Sequence, residues 1–237
     1  MSSVLNKYFD NIYCLNLKSR PDKWEQSRKR LLKNNVVAER FKASSYISPR
    51  VKHEFKQLKK KFPNENVRKK KAIINQVGAM GCLLSHIRII KDAKEKGYQK
   101  ILILEDDFIF AKDFIKLFKT KQSKISGWKL LYLGGTQHSW KNIKINNGFY
   151  HPINTCGTFA YAVDSSIYDS ILKDYEKKLY PVDHCLILGA QKKFHRKSYV
   201  FFPNIIIADL TDSDIRGPRD QRKYSKRLQW DKIAYEY

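Results

Sequence analysis

A chain of 237 residues, 42% hydrophobic and 13% aromatic, can bury the core of one α/β-sized domain, which excludes a disordered basic tail protein. Its 47 Lys plus Arg against 23 Asp plus Glu give a formal charge of +24. A field of that sign attracts nucleic acid, anionic membranes and phosphorylated small molecules alike, so the sign alone does not choose among these partners.

The first half of the chain alternates strand and helix patterns. NIYCLNL, from Asn11, is typical of a buried strand, and the following KSRPDKWEQSRKRLLKNN predicts a helix with Pro21 in its first turn. Residues 36–46 predict a second short strand. INQVGAMGCLLSHIRIIKDAKEKGYQK predicts an amphipathic helix that ends near Gly97 and leads into residues 101–104, an aliphatic strand buried on both faces.

The second half carries weaker patterns. FIFAKDFIKLFKTKQSK is amphipathic, WKLLYLGGTQ predicts a strand, and residues 149–163 favour hairpin-like strands. SSIYDSILKDYEKKLYPVDHCLILGA predicts two helices interrupted at Pro181, and VFFPNIIIADL predicts one last strand. With no repeat and no linker, the sequence predicts a single α/β domain over residues 1–237, with a Rossmann-like, mainly parallel central sheet flanked by helices.

Two basic segments lie outside this pattern. Residues 48–71 form a very basic insertion, either a solvated surface excursion or a lid whose Lys69, Lys70 and Lys71 contact a phosphate-bearing ligand. The tail, 216–237, mixes cations with aromatic residues, which leaves room for a homodimer.

Cysteine spacing and hydropathy bear on the compartment. The four cysteines are widely spaced and form no CxxC pair, which indicates a reducing environment. The N-terminus lacks a signal-peptide pattern, and no run approaches the roughly 20 apolar residues of a membrane span. We therefore expect a soluble, cytoplasmic protein without a transmembrane segment.

Three consecutive acids, Glu105, Asp106 and Asp107, follow the aliphatic strand. At the carboxyl end of a central strand they would crowd the crevice where such sheets bind ligands, with Glu105 and Asp107 on one face. Neighbouring carboxylates repel each other, and a hard divalent cation removes that conflict. The pattern fits a metal–diphosphate site or an acidic strand end bonded to lysines or helix amides.

Six segments support the first interpretation through their order: IYCLNLKSRPDKW, GAMGCLLSH, ILILEDD, GTFAYAV, YPVDHCLI and DSDI. In that order the chain resembles glycosyltransferase family 25, which includes lipooligosaccharide galactosyltransferases and collagen hydroxylysine glycosyltransferases, from about Asn11 to Ile215. The resemblance implies a GT-A-type fold, a UDP-sugar donor, Mn²⁺ or Mg²⁺, and inverting transfer of galactose or glucose. The acceptor would be a hydroxyl of a glycan or of hydroxylysine in a collagen-like protein.

The resemblance also implies roles for the acids. Asp107 becomes the first candidate for metal binding, with Asp106 or Glu105 contacting the metal or the ribose. Because the sequence has E-D-D rather than D-x-D, which acid touches the ion stays open. Asp212 and Asp214 are available late in the chain, and Asp214 is the candidate for a last metal ligand.

Four further residues are candidates for donor binding. Asn16 can read the uracil edge through its amide, and Arg20 can contact a phosphate with its fork of donors or remain an exposed loop cation. For Ser85 and His86 the resemblance suggests nucleotide or diphosphate contact, although a helical histidine is commonly a structural partner.

Inversion requires a carboxylate to deprotonate the acceptor hydroxyl. The resemblance makes Asp183, in YPVDHCLI, the candidate catalytic base; the alternative is an N-cap for a helix starting at His184. Tyr161 in GTFAYAV is expected in the core.

Two other functions compete with transfer. A nucleic-acid-binding protein fits the positive charge but leaves the three acids unexplained, so no nucleic-acid partner is expected. An inactive sugar-binding relative of the transferases fits if Asp107 or Asp183 is dispensable.

Overall fold

The computed structural model describes residues 3–62, 73–215 and 217–237. The strands in these ranges are β1 (Asn11–Asn16), β2 (Glu39–Lys42), β3 (Lys100–Glu105), β4 (Phe108–Phe110), β5 (Leu130–Tyr132), β6 (Phe149–Tyr150), β7 (Ala160–Asp164), β8 (Ser198–Phe201) and β9 (Ile206–Ala208). The α-helices are α1 (Val4–Tyr8), α2 (Pro21–Lys33), α3 (Pro49–Lys61), α4 (Val77–Glu95), α5 (Phe114–Gln122), α6 (Tyr168–Tyr175), α7 (Val182–Leu188), α8 (Ala190–Lys193) and α9 (Gln221–Arg227).

A seven-stranded sheet forms the centre, in the order β2-β1-β3-β7-β5-β8-β6. Strands β1, β2, β3, β5 and β8 run in one direction, and β7 and β6 run against them. The α/β class with a mainly parallel, helix-flanked sheet is therefore confirmed. The first three strands are mutually parallel, so the carboxyl ends of β1 and β3 lie side by side, with Leu15 paired to Glu105.

Both faces of the sheet are buried, as the uninterrupted aliphatic run in β3 predicts. Leu102 and Leu104 pack into one hydrophobic cluster, whereas Ile101 and Ile103 pack into the other, beneath α4. This alternation follows from the two-residue period of a strand. Tyr161 of β7 is fully buried in the second cluster, which confirms its place in the core.

A second, two-stranded sheet pairs β4 with β9 in antiparallel register. It lies close to the end of β5, where Gly134 packs against the backbone of β9 so tightly that an added Cβ would meet the Ile206 carbonyl oxygen at 1.8 Å. Asp209, just after β9, donates its N–H to the carbonyl of Asp107 over 2.6 Å. The small sheet thus fixes the backbone immediately after β3.

Several sequence predictions are confirmed. The helix over GAMGCLLSH is α4, and Gly97 follows its end with a φ of 72°. Pro21 is the first residue of α2, and the two helices around Pro181 are α6 and α7. None of the helices in the described ranges is both long and apolar enough to cross a membrane.

Two predictions are wrong. Residues 149–163 do not form a hairpin, because β6 pairs with β8 whereas β7 lies between β3 and β5. VFFPNIIIADL is not one strand but two, β8 in the central sheet and β9 in the small one. In both cases the strand partner is far away in the sequence, and local sequence patterns do not indicate it.

The basic insertion begins with α3, and its Lys69, Lys70 and Lys71 lie outside the described residues.

Candidate active site

The three acids mark the point where the chain leaves the central sheet. β3 ends at Glu105 and β4 begins at Phe108, so Asp106 and Asp107 form the turn between the two sheets. Ser27 of α2 donates to the Asp106 carbonyl over 2.9 Å. The turn is held by both α2 and the residues after β9, so its carboxylates have fixed directions.

Two adjoining cavities open beside this turn, of about 120 and 240 Å³. Both are lined by Cys82, Glu105, Asp107, Ser213 and Ile215, so they form one cleft. Together they reach the lower end of the size range of ordinary small-molecule sites, about 300 Å³ and above. The cleft lies at the carboxyl ends of β1 and β3, where open α/β sheets bind ligands.

Glu105 is the best-compensated of the three acids. Its Oε1 accepts a hydrogen bond from the Thr158 hydroxyl over 2.5 Å and lies 3.4 Å from Nε2 of His86. Burial acts to raise the pKa of Glu105, but the His86 imidazole and the Thr158 hydroxyl outweigh it, and the pKa is lowered overall. Glu105 is therefore the acid held most firmly in its ionised form.

Asp106 points towards β1. Its Oδ2 accepts a hydrogen bond from Asn16 Nδ2 over 2.5 Å. Burial raises the pKa of Asp106, and the charges of Glu105 and Asp214 raise it further, against the opposing effects of Asn16 and Lys23. Asp106 lines only the smaller cavity, whereas Glu105 and Asp107 line both, although the strand ends at Glu105 and the turn, not strand alternation, sets these directions.

Asp107 is the least compensated acid. Its Oδ1 is buried and has no hydrogen-bond partner among the residues that the structure describes. Burial raises the pKa of Asp107 well above its usual value, and the charges of Glu105 and Asp106 add to the shift. A buried carboxylate without a partner is costly, and an opposite charge beside it would relieve that cost.

Asp212 and Asp214, near the C-terminus, form ion pairs with residues at the start of α2, at the edge of the cleft. Arg20 donates to Asp214 over 2.6 Å and also pairs with Asp22 and Asp212. Lys23 lies 3.7 Å from Asp214 and lines the smaller cavity together with it. These ion pairs compensate Asp214, whose role as metal ligand stays a prediction.

Three candidate donor-binding side chains are engaged within the protein. Asn16 is 1% exposed, and its amide contacts Asp106, Arg40 and the Arg20 carbonyl. Ser85 lines the smaller cavity, but its hydroxyl donates to the Gly81 carbonyl and accepts the Ser44 N–H.

His86 is fully buried, with Nδ1 2.8 Å from the Tyr161 hydroxyl. For Asn16 and His86 the structure describes structural contacts, and direct nucleotide contact by them or by Ser85 stays a prediction.

Asp183 reaches the larger cavity from α7, which also brings Pro181 and Val182 to it. The helix begins at Val182, so the prediction of an N-cap for a helix starting at His184 is wrong. Asp183 instead lies in the first turn, where its Oδ1 accepts the His184 N–H over 2.9 Å and lies 3.1 Å from His184 Nδ1.

Two features of this site were not predicted from the sequence: the presence of Lys23, and the contact of Thr158, expected only as part of a close-packed strand beside the sugar, with Glu105. Lys23 carries a nearly buried side chain into the cleft, yet its position on α2 looks like that of any helical lysine. Thr158 follows Gly157, whose φ of 85° turns the chain so that the threonine hydroxyl meets Glu105. The glycine in GTFAYAV was the feature of the sequence that could have indicated this turn.

The comparison with protein-family models gives a match over residues 9–186, to the family described as glycosyltransferase family 25 (LPS biosynthesis protein). The chain belongs to glycosyltransferase family 25. The matched range contains the three acids and Asp183, whereas Asp212 and Asp214 lie beyond it. The α/β architecture agrees with the GT-A-type fold that the resemblance implies.

A curated relative is the "Procollagen lysyl hydroxylase and glycosyltransferase" of Acanthamoeba polyphaga mimivirus, 27% identical over 208 residues. The match covers 77% of this chain but only 22% of that protein. The chain therefore corresponds to about a fifth of the relative's length.

Two solved structures are distantly similar. One is a glycosyltransferase involved in the glycosylation of the major capsid of PBCV-1, with a TM-score of 0.35 and 9% identity over 92% of this chain and 98% of that one. The other is mannose-1-phosphate geranyltransferase from Thermus thermophilus, with a TM-score of 0.33 and 11% identity over 51% of this chain and 49% of that one. TM-scores this low do not establish a shared fold.

Proposed function

We propose that this family member is an inverting, metal-dependent transferase that moves a hexose, galactose or glucose, from a UDP-sugar to a hydroxyl of a glycan or of hydroxylysine in a collagen-like protein. The observation that carries the proposal is the orphaned, buried Oδ1 of Asp107 in a cleft shared with two further carboxylates. Membership of the family supports glycosyl transfer as the reaction, and the three acids support a metal-bound sugar nucleotide as the donor.

The donor set fits a hard divalent cation. Asp107 offers an oxygen without a partner among the described residues, and Asp106 lies beside it in the smaller cavity. Burial and the charges of neighbouring acids raise the pKa of both carboxyl groups. Mn²⁺ and Mg²⁺ prefer such oxygen ligands and commonly combine one or two carboxylates with phosphates of the substrate. Bound there, the ion would neutralise the diphosphate leaving group as a Lewis acid.

Lys23 is suited to the phosphates. Its nearly buried side chain lines the same cavity as Asp106 and Asp107, beside Asp214. Arg20 already forms ion pairs with Asp22, Asp212 and Asp214, so it holds the segment around Asp212 and Asp214 against the start of α2. Lys23 is therefore the better candidate for a direct phosphate contact. Asp214 remains the candidate for a further metal ligand, since it lines this cavity as well.

Asp183 is placed to act on the acceptor. It lies in the larger cavity with Glu105 and Asp107, but on α7 rather than on the acid turn. Its Oδ1 accepts the His184 N–H, and the carboxylate oriented in this way takes the proton from the attacking hydroxyl. An inverting displacement requires the base on the face of the sugar opposite the leaving group, and a base on a different element from the acid turn is compatible with that arrangement.

Each of the two proposed acceptors, a glycan and hydroxylysine, is supported by a different comparison. The family description names LPS biosynthesis, which fits a glycan acceptor. The mimiviral relative is named as a procollagen lysyl hydroxylase and glycosyltransferase, which fits a hydroxylysine acceptor. The cleft continues past Gln76, Arg219 and Trp230, which supply polar and aromatic contacts for either.

Release of UDP tests the reaction. The purified chain is incubated with UDP-glucose, UDP-galactose and UDP-N-acetylglucosamine, each with Mn²⁺ or with EDTA. We expect release from one of the two hexose donors, only with Mn²⁺, and faster when a glycan or collagen-peptide acceptor is added. No release from any donor, together with no thermal shift by UDP plus Mn²⁺, would refute the transferase and favour an inactive sugar-binding relative.

A further inference from the structure

A second cluster of metal-ligating atoms lies at the floor of the cleft. Among the residues that the structure describes, Cys82, His86 and Glu105 bring Sγ, an imidazole nitrogen and a carboxylate oxygen to within 4.8 Å of one another. Cys82 and His86 are one turn apart on α4, and Glu105 ends the strand beneath that helix. A four-residue spacing puts two ligands on one face of a helix, as in helical zinc motifs.

His86 is oriented for this role. Its side chain is fully buried, and within the described ranges Nε2 has no hydrogen-bond partner, only the Glu105 oxygen 3.4 Å away. In the metal-bound state the imidazole would keep its proton on Nδ1, donated to the Tyr161 hydroxyl 2.8 Å away, and Nε2 would give up any proton that it shares with Glu105 and offer its lone pair to the metal. Metal-ligating histidines commonly have their other nitrogen fixed by such a contact.

The spacing matches a tetrahedral site. His86 Nε2 lies 3.4 Å from Glu105 Oε1. Bonds of about 2.0–2.2 Å to nitrogen and oxygen place two tetrahedral ligands roughly 3.3 Å apart, so this edge is already formed. The sulfur needs to lie about 3.6 Å from the other two atoms. It already lies within 4.8 Å of them, so a shift of about 1 Å closes the site. Cys82 and Glu105 both line the cleft, so a water from that side would be the fourth ligand.

We propose that Cys82, His86 and Glu105 form a site for a soft divalent cation, with zinc as the best fit, separate from the hard-cation site at Asp106 and Asp107. Thiolate and imidazole ligands favour Zn²⁺ over Mn²⁺, whereas the all-oxygen set at Asp107 favours Mn²⁺. On binding, the Cys82 thiol releases its proton to solvent and the sulfur donates an electron pair to the metal. The site requires no sugar nucleotide, so it stands or falls independently of the transferase proposal.

Cobalt substitution tests the site on the full, metal-stripped chain. Co²⁺ is titrated under a non-thiol reductant, and the near-ultraviolet thiolate-to-cobalt charge-transfer band is recorded. We expect the band in the wild type at one equivalent of Co²⁺ and no band in Cys82→Ser. Addition of one equivalent of Zn²⁺ should abolish the wild-type band, whereas one equivalent of Mn²⁺ should leave it unchanged. Cys156→Ser is the matched control, because Cys156 lines the same cleft outside the cluster, and it should retain the band.

His86→Gln separates ligation from folding. Because His86 is buried, its substitution could unfold the protein, so the fold of each variant is checked by circular dichroism. If His86→Gln is unfolded, the proposal is tested with Cys82→Ser, whose side chain is partly exposed. A folded His86→Gln should bind Co²⁺ at least tenfold more weakly. No band in the wild type, an undiminished band in Cys82→Ser, or equal loss in Cys156→Ser would overturn the proposal.

Discussion

Asn16, the last residue of β1, donates a hydrogen bond to Asp106, the residue that follows β3, over 2.5 Å. The two parallel strands are neighbours, so this contact joins their carboxyl ends. Asn16 Oδ1 in turn accepts from the Arg40 guanidinium of β2 over 2.6 Å. The amide therefore connects three parallel strands and sets the direction of one acid.

Asn16→Ala should weaken Mn²⁺-dependent UDP binding about 10- to 100-fold, the usual cost of losing a residue that orients a metal ligand. Without the Asn16 donor, the Asp106 carboxylate loses both its orientation and part of the stabilisation of its ionised form. Isothermal titration with UDP and Mn²⁺ measures the change. Asn11→Ala is the control, since Asn11 begins the same strand and its amide donates to the exposed Glu39 side chain, away from the cleft; equal weakening in both variants would exclude the orienting role.

Asp183→Asn should lower kcat by a factor of about 10² to 10⁴ while leaving UDP and Mn²⁺ binding unchanged. The amide can still accept the His184 N–H but cannot take a proton from the acceptor. Asp169→Asn, a change in the first turn of α6, is the matched control and should retain kcat. If Asp183→Asn raises KM alone, Asp183 binds the acceptor without acting as base.

Lys121 offers a pH test of the fold away from the cleft. Burial lowers the pKa of its amine to about 8, with the Lys124 charge contributing, against about 10.4 in an unfolded chain. Between these values the unfolded state holds more protons, so the free energy of unfolding rises with pH across that window.

The measurement is denaturant unfolding of the wild type and of Lys121→Met at pH 7 and pH 10. The stability of the wild type relative to the variant should increase by about 2 kcal/mol at the higher pH. Lys119→Met, an exposed change in the same helix, should show no such increase. A difference that stays constant or falls with pH would contradict the lowered pKa of Lys121.

Short-range patterns predicted most of the fold. The aliphatic run in β3, the helical spacing in α4 and the stop at Gly97 are encoded within a few residues, and all three are confirmed. The partners of β6 and β9 depend on residues about 50 and about 100 positions distant, so local sequence could not assign them.

The same limit applies to the site. The acids could be found as a run of like charge, but their different environments could not, because Thr158, Asn16 and the absence of a partner at Asp107 Oδ1 arise from tertiary contacts. The Cys82–His86 spacing was visible in GCLLSH. Its meaning depends on Glu105, which only the packing of α4 on β3 brings close.

A cation site at Asp107 is tested most directly by the thermal shift that Mn²⁺ plus UDP produces, since a ligand that binds only the native state raises the melting temperature. Wild-type protein and Asp113→Asn, an exposed control nearby, should both be stabilised. Asp107→Asn should fold with an equal or higher melting temperature in EDTA and show no shift on addition of Mn²⁺ and UDP. A full wild-type shift in Asp107→Asn would contradict the assignment.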